Sequence, residues 1–150
     1  NIGWISDPKI AWISVGIIGV WSVIGYNMVL FISGLQEIPG DYYEAASIDG
    51  ATGINQFFNI TVPLLSPTTF FIVQTRLIGA LTVFDLMFMV MDKTNVALSK
   101  VQSIVYLFYT YAFTNGNKGY GATIVMVLVV FIMIITFIMQ RAEKTLVYHN

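Results

Sequence analysis

The chain has 150 residues, of which 57% are hydrophobic and 10% charged, with a formal net charge of −1. A mean hydropathy of +0.77, with a charged share far below the ~25% of soluble domains, places it in a membrane. Zero cysteines exclude disulfides, thiolate metal sites and a cysteine nucleophile. No basic stripe is present of the kind that nucleic acid requires.

The opening Asn1-Ile2-Gly3-Trp4-Ile5-Ser6-Asp7-Pro8 lacks the basic and cleavage regions of a signal peptide and reads as the interior of a longer sequence. From Ala11 to Leu35 no residue is charged. At about 1.5 Å per residue this run crosses a ~30 Å hydrocarbon core, so 11–35 is the first expected span. Trp4 and Trp12 stand where interfacial aromatics are expected. Inside the run Ser22, Tyr26, Asn27 and Ser33 fall partly on one side, and such a stripe faces protein or a water-filled path. Helix–helix hydrogen bonding is the commoner use of these groups. Solute contact is the functional alternative, with Tyr26 and Asn27 as candidates.

A polar loop follows at 36–66. Pro39-Gly40 is a turn dipeptide. Asp41 is expected to cap a helix that starts at Tyr42, with Glu44 reaching back in a capping box and both carboxylates at the positive end of the dipole. Gly50 and Gly53 end that helix after about two turns. A second short helix, expected from Ile54 to Val62, brings Phe57, Phe58 and Val62 together, and Pro63 and Pro67 bracket its end. On spacing alone this is a helix-turn-helix connector.

The next apolar block, 68–91, contains Arg76 and Asp85, each costing roughly 2.5–3.5 kcal/mol at a bilayer centre. Read as one helix, nine residues at about 100° each set them on opposite faces, so each requires a partner elsewhere. Gln74, Arg76, Thr82 and Asp85 are candidates for a translocation path, with pairing to a neighbouring helix as the alternative. Between Asp92 and Gly121 the chain is mixed. Apolar residues at helical spacing from Val96 to Phe113 predict an amphipathic helix across the outer face, with its aromatics as anchors. Gly116, Gly119 and Gly121 do not make a phosphate loop, because neither Ser nor Thr follows Lys118 and no strand precedes it. The final span, 120–139, stops at Arg141 and Lys144. Three spans put the central loop and the C-terminus on one side. Two basic residues lie there, Arg141 and Lys144, against four opposite, Lys9, Lys93, Lys100 and Lys118.

Glu44-Ala45-Ala46, Asp49-Gly50-Ala51, Phe57, Ile60 and Pro63-Leu64-Leu65-Ser66-Pro67 resemble the EAA loop of the membrane-spanning permeases of bacterial binding-protein-dependent ABC importers. Asp7-Pro8, Trp21, Gly25-Tyr26-Asn27, Leu35, Ile38-Pro39, Phe84-Asp85, Tyr109, Ala112-Phe113 and Gly119-Tyr120-Gly121-Ala122 extend the likeness to the carbohydrate-type, MalF/UgpA-like class. The chain departs from that pattern at Met91-Asp92-Lys93-Thr94-Asn95, where the family has a Thr-x-Gly-Gly-Pro turn. It also corresponds to the last three of about six spans, as a fragment or truncated product does.

The resemblance implies an all-α permease fragment, one membrane domain over 1–150, in the bacterial inner membrane. By the same resemblance Glu44, Ala45, Ala46, Asp49, Gly50 and Ala51 form a cytoplasmic coupling helix against an ABC ATPase subunit. That subunit would bind ATP, leaving this chain with no cofactor of its own. A second permease subunit, an extracytoplasmic solute-binding protein, membrane lipid and a sugar-like solute complete the implied partners, and this orientation runs against the count of basic residues. The resemblance makes the chain a transport subunit rather than an enzyme. An intramembrane enzyme would have only Asp49 and Asp85 as an acid pair, with the sole histidine at His149, and no metal or nucleophile constellation. A membrane scaffold using the 42–51 helix to hold a partner is the other alternative.

Overall fold

The computed structural model describes residues 4–91 and 95–146, and all regular structure in them is helical. Lys93 and His149 lie outside the described residues. In chain order the helices are α1 (Ala11–Gln36), α2 (Asp41–Ile48), α3 (Gly53–Leu64), α4 (Ser66–Thr82), α5 (Asp85–Val90), α6 (Leu98–Val101), α7 (Ile104–Thr114) and α8 (Lys118–Leu146). Among them α1 and the Lys118–Lys144 part of α8 are each long and apolar enough to cross a membrane. A third crossing is present if α3 and α4, bent by 59° at Leu65, count as one broken span. Both long helices leave most of their apolar surface uncovered, with Trp21 at 79% and Met126 at 66% exposure. Surface of that kind is stable only against lipid or other helices.

Three local expectations need correction. The first helix of the loop begins one residue early: Gly40 is already helical at φ −60°, ψ −29° and no side chain caps the end. Glu44 N–H is bonded to Gly40 O at 3.1 Å, so no capping box forms. Asp41 and Glu44 both sit in the first turn, where the dipole favours them. The block 68–91 is two helices, because Phe84 leaves the helical region at φ −128°, ψ −52°. Its ring is drawn instead into a cluster with Phe88, Tyr106 and Tyr109, at centroid distances of 5.3, 6.1 and 5.3 Å. The 100° count between Arg76 and Asp85 therefore does not carry across the break. The helix expected over Val96–Phe113 is also divided, at Gln102-Ser103. Ser103 Oγ accepts from Tyr106 N–H at 3.1 Å and restarts the helix as an N-cap.

Two helices contain a π turn, Phe57–Thr61 in α3 and Thr110–Thr114 in α7. The first has a visible cause. Pro63 cannot donate into the ladder, and just ahead of it the turn widens so that Val62 N–H reaches back five residues to Phe57 O.

The described residues form two compact units, one drawn from 4–23 with 76–91 and 95–135 and the other from 24–75 with 136–146. The first unit is centred on Ala11, Val15, Met87, Met91, Ala97, Leu98 and Tyr106. Asn95 ties its loop down, donating from Nδ2 to Ile5 O at 3.0 Å and accepting Ala97 N–H on Oδ1 at 2.9 Å. Here α7 meets the start of α8 at Gly121, where a Cβ would lie 2.8 Å from Ala112 Cβ and 3.2 Å from its Cα. Backbone cannot rotate away as a side chain can. Gly121→Ala is therefore expected to lower the melting temperature of the detergent-solubilised protein, while Gly79→Ala, with nothing within 4 Å of its Cβ, leaves it unchanged or raised. Equal melting of the two variants would contradict the packing.

In the second unit α1 approaches α4 through Gly34. A Cβ there would lie 2.6 Å from Thr68 Oγ1 and 3.0 Å from Leu65 Cδ1. The small residue sets how closely the two helices pack beside the bend.

Candidate functional site

All six coupling candidates lie on α2 and its C-terminal cap, within the second unit. The helix stops because Gly50 takes φ +76°, a conformation that costs glycine little. Gly50 N–H then donates to Ser47 O at 3.1 Å and Ala51 N–H to Ala46 O at 2.9 Å, the paired closure of a Schellman motif. Thr52 is extended, at φ −71° and ψ 158°, and α3 returns alongside.

Two side-chain bridges join α2 to α3. The Tyr43 and Thr61 hydroxyls share a hydrogen bond of 2.9 Å, and Thr61 is 8% exposed. Gln56 Nε2 donates to Ser47 Oγ at 2.9 Å, and Ser47 Oγ donates to Tyr43 O at 2.7 Å. Tyr43 and Ser47, four apart, thus form the inward side of α2. Glu44, Ala45, Ile48 and Asp49 are left on the outside, with Ile48 at 87% exposure. On α3, Ile54, Phe57 and Phe58 are also exposed, the two rings meeting edge to face at 5.1 Å. The surface is apolar with carboxylates, and no Lys or Arg occurs from Gln36 to Thr75.

Sequence reasoning did not single out Gln56, Thr61 or Ile48. Only the last left a signal, an isoleucine at the end of a short polar helix. The bridges depend on how Gly50 folds the chain back, which no spacing rule encodes.

The translocation-path candidates divide between the units. Tyr26, Asn27 and Gln74 belong to the second, where Tyr26 is 56% exposed. Asn27 Oδ1 is buried with no hydrogen-bond donor among the described residues. Arg76, Thr82 and Asp85 belong to the first. Arg76 is half-buried, Thr82 donates to Ile78 O at 3.0 Å, and Asp85 is the exposed first residue of α5. Among the described residues no three His, Cys, Asp or Glu side chains come together as metal ligands would.

Residues 2–147 match the family model described as the binding-protein-dependent transport system inner membrane component. The chain belongs to that family. This inner membrane component is 38% identical over 130 residues to the sn-glycerol-3-phosphate transport system permease protein UgpA of Agrobacterium fabrum, covering 85% of this chain and 44% of the relative. It is 31% identical over 144 residues to the lactose transport system permease protein LacF of Rhizobium radiobacter, covering 95% of this chain and 48% of the relative. It thus spans less than half the length of these curated relatives. In fold it is similar to a crystal structure of a bacterial ABC transporter involved in the import of the acidic polysaccharide alginate. There the TM-score is 0.86 at 17% identity, over 99% of this chain and 51% of the other. It is an all-α, multi-pass protein of the bacterial inner membrane.

Proposed function

We propose that this chain serves as a transmembrane subunit of an ATP-driven importer for a sugar or sugar-like solute, coupled to a separate ABC ATPase through α2. The reading is supported above all by a short helix that is fastened by Tyr43 and Ser47 while Glu44, Ala45, Ile48 and Asp49 face outward. A helix held on one side and bare on the other suits insertion into a partner's groove. In this reading Ala45 and Ala46 permit close approach, Glu44 and Asp49 meet donors on the ATPase, and Gly50 with Ala51 fixes the turn. The basic-free stretch from Gln36 to Thr75 favours a partner cleft rich in N–H donors or cations. The ATPase binds the nucleotide, and this chain acts as a transport subunit and not an enzyme. A second permease subunit and an extracytoplasmic solute-binding protein complete the assembly. The lactose named for one relative supports the solute class. Tyr26, Asn27, Gln74, Arg76, Thr82 and Asp85 are proposed as the polar groups along the path.

The test is a pull-down of the full-length protein from its native membranes, with and without Glu44→Lys. Wild type is expected to recover an ATPase subunit, a second permease and a binding protein, and the variant to lose the ATPase alone. If wild type recovers no ATPase, the importer reading fails. Recovery with no solute-dependent turnover would make the loop a scaffold contact instead.

A further inference from the structure

A groove of about 500 Å³ opens in the first unit beside α6 and α7, within the size range of small-molecule sites. Its polar lining comes from Asn95, Ser99, Gln102, Tyr106, Thr110 and Thr114, and no charged side chain lines it among the described residues. The second π turn arranges this row. Four residues overshoot one α-helical turn by about 40°, so Tyr106, Thr110 and Thr114 would drift round a regular helix. The turn Thr110–Thr114 is π-helical and holds more residues per turn, which takes that drift back. The break at Gln102-Ser103 leaves the Gln102 side chain exposed at the corner, with Ser103 occupied as the cap.

Hydrogen-bonding capacity remains in this row. Thr110 Oγ1 donates to Tyr106 O at 3.0 Å and keeps its acceptor sites, and the Ser99 contact to Val96 O is long at 3.4 Å. The Gln102 amide and the Tyr106 and Thr114 hydroxyls make no side-chain hydrogen bond among the described residues. Tyr106 is 4% exposed and packs beside Phe84 and Tyr109, so its position is fixed.

We propose that this groove binds a neutral polyhydroxylated ligand, a glycoside or short oligosaccharide, in preference to an anionic sugar. The inference rests on the transport reading for its biological meaning. Hydroxyls and an amide can each donate and accept, which matches the two-way character of sugar hydroxyls. A phosphate or uronate would lose hydration with no cation among the described lining residues to replace it.

The absence of cysteine from the chain makes a labelling test direct. Thr114→Cys is introduced, and its alkylation rate is measured in the intact assembly with glucose, lactose, maltotriose or trigalacturonate as the probe. At least one neutral probe, present near ten times its Kd, is expected to slow labelling about tenfold. Trigalacturonate is expected not to slow it, and adding Ser99→Trp, which fills the groove, is expected to remove the protection. Absence of protection by every neutral sugar, or equal protection by trigalacturonate, overturns the proposal. Protection by sugar-free binding protein alone would make the groove a protein-docking face and also overturn it. Import without protection removes the groove and leaves the transport reading standing. Protection without import does the reverse.

Discussion

Gly50→Pro is expected to abolish solute-stimulated ATP hydrolysis in the reconstituted assembly while leaving the amount of chain inserted in the membrane unchanged. Gly50 sits at φ +76°, which a proline ring fixed near −65° cannot adopt. The substitution also removes the N–H that closes α2 on Ser47 O. The chain would leave α2 in another direction, and Gln56 would no longer reach Ser47. Gly50→Ala keeps the N–H and meets only the left-handed penalty of about 1–2 kcal/mol, so it should retain most of the activity. Solute-stimulated turnover in proteoliposomes distinguishes the two, and full activity of the proline variant would show that the turn plays no part in coupling.

Gly34→Leu is expected to destabilise the second unit strongly. Its Cβ alone would lie 2.6 Å from Thr68 Oγ1 and 3.0 Å from Thr68 Cβ, and overpacking of this kind costs about 1–3 kcal/mol. Thr68 is β-branched and has little freedom to turn aside. Thr68→Ala removes the closest atom, so Gly34→Ala combined with Thr68→Ala should recover stability lost in Gly34→Ala alone. Thermal melting of the four variants in detergent, read as a double-mutant cycle, measures this coupling. Independent, additive effects would contradict the close approach.

The long apolar helices were legible in the sequence because an uncharged run such as Ala11–Leu35 has few alternatives. The turn at Gly50 was legible for a similar reason, since glycine is read directly as a change of backbone direction. Breaks inside apolar blocks were not. Phe84 leaves its helix for rings at Tyr106 and Tyr109, more than twenty residues along the chain, and no local pattern records that choice. Ser103 did carry a local signal, a serine ahead of an apolar run, but the helical spacing continued through it and masked it. Asp41 was misplaced as a cap because Gly40 had already entered helical geometry. In the candidate site Glu44, Ala45 and Asp49 belong to the motif, but Ile48, the most exposed large apolar residue of α2, was not singled out, and Gln56 and Thr61, which decide the side α2 presents, follow from the folded-back chain.

The bend at Leu65 has a mechanical consequence. With α2 fastened to α3 at both Gln56 and Thr61, a force on α2 in the proposed coupling would reach that residue through α3 as through one arm of a crank. The arm Gly53–Leu64 is about 18 Å long, so a swing of about 10° carries its far end through about 3 Å. Hydrogen bonds run into and out of the pivot, from Leu65 N–H to Thr61 O and from Thr69 N–H to Leu65 O, while Pro67 has no N–H to donate. In the proposed coupling, the stiffness of that one residue would set how a push on α2 divides between flexing the elbow and applying torque to α4.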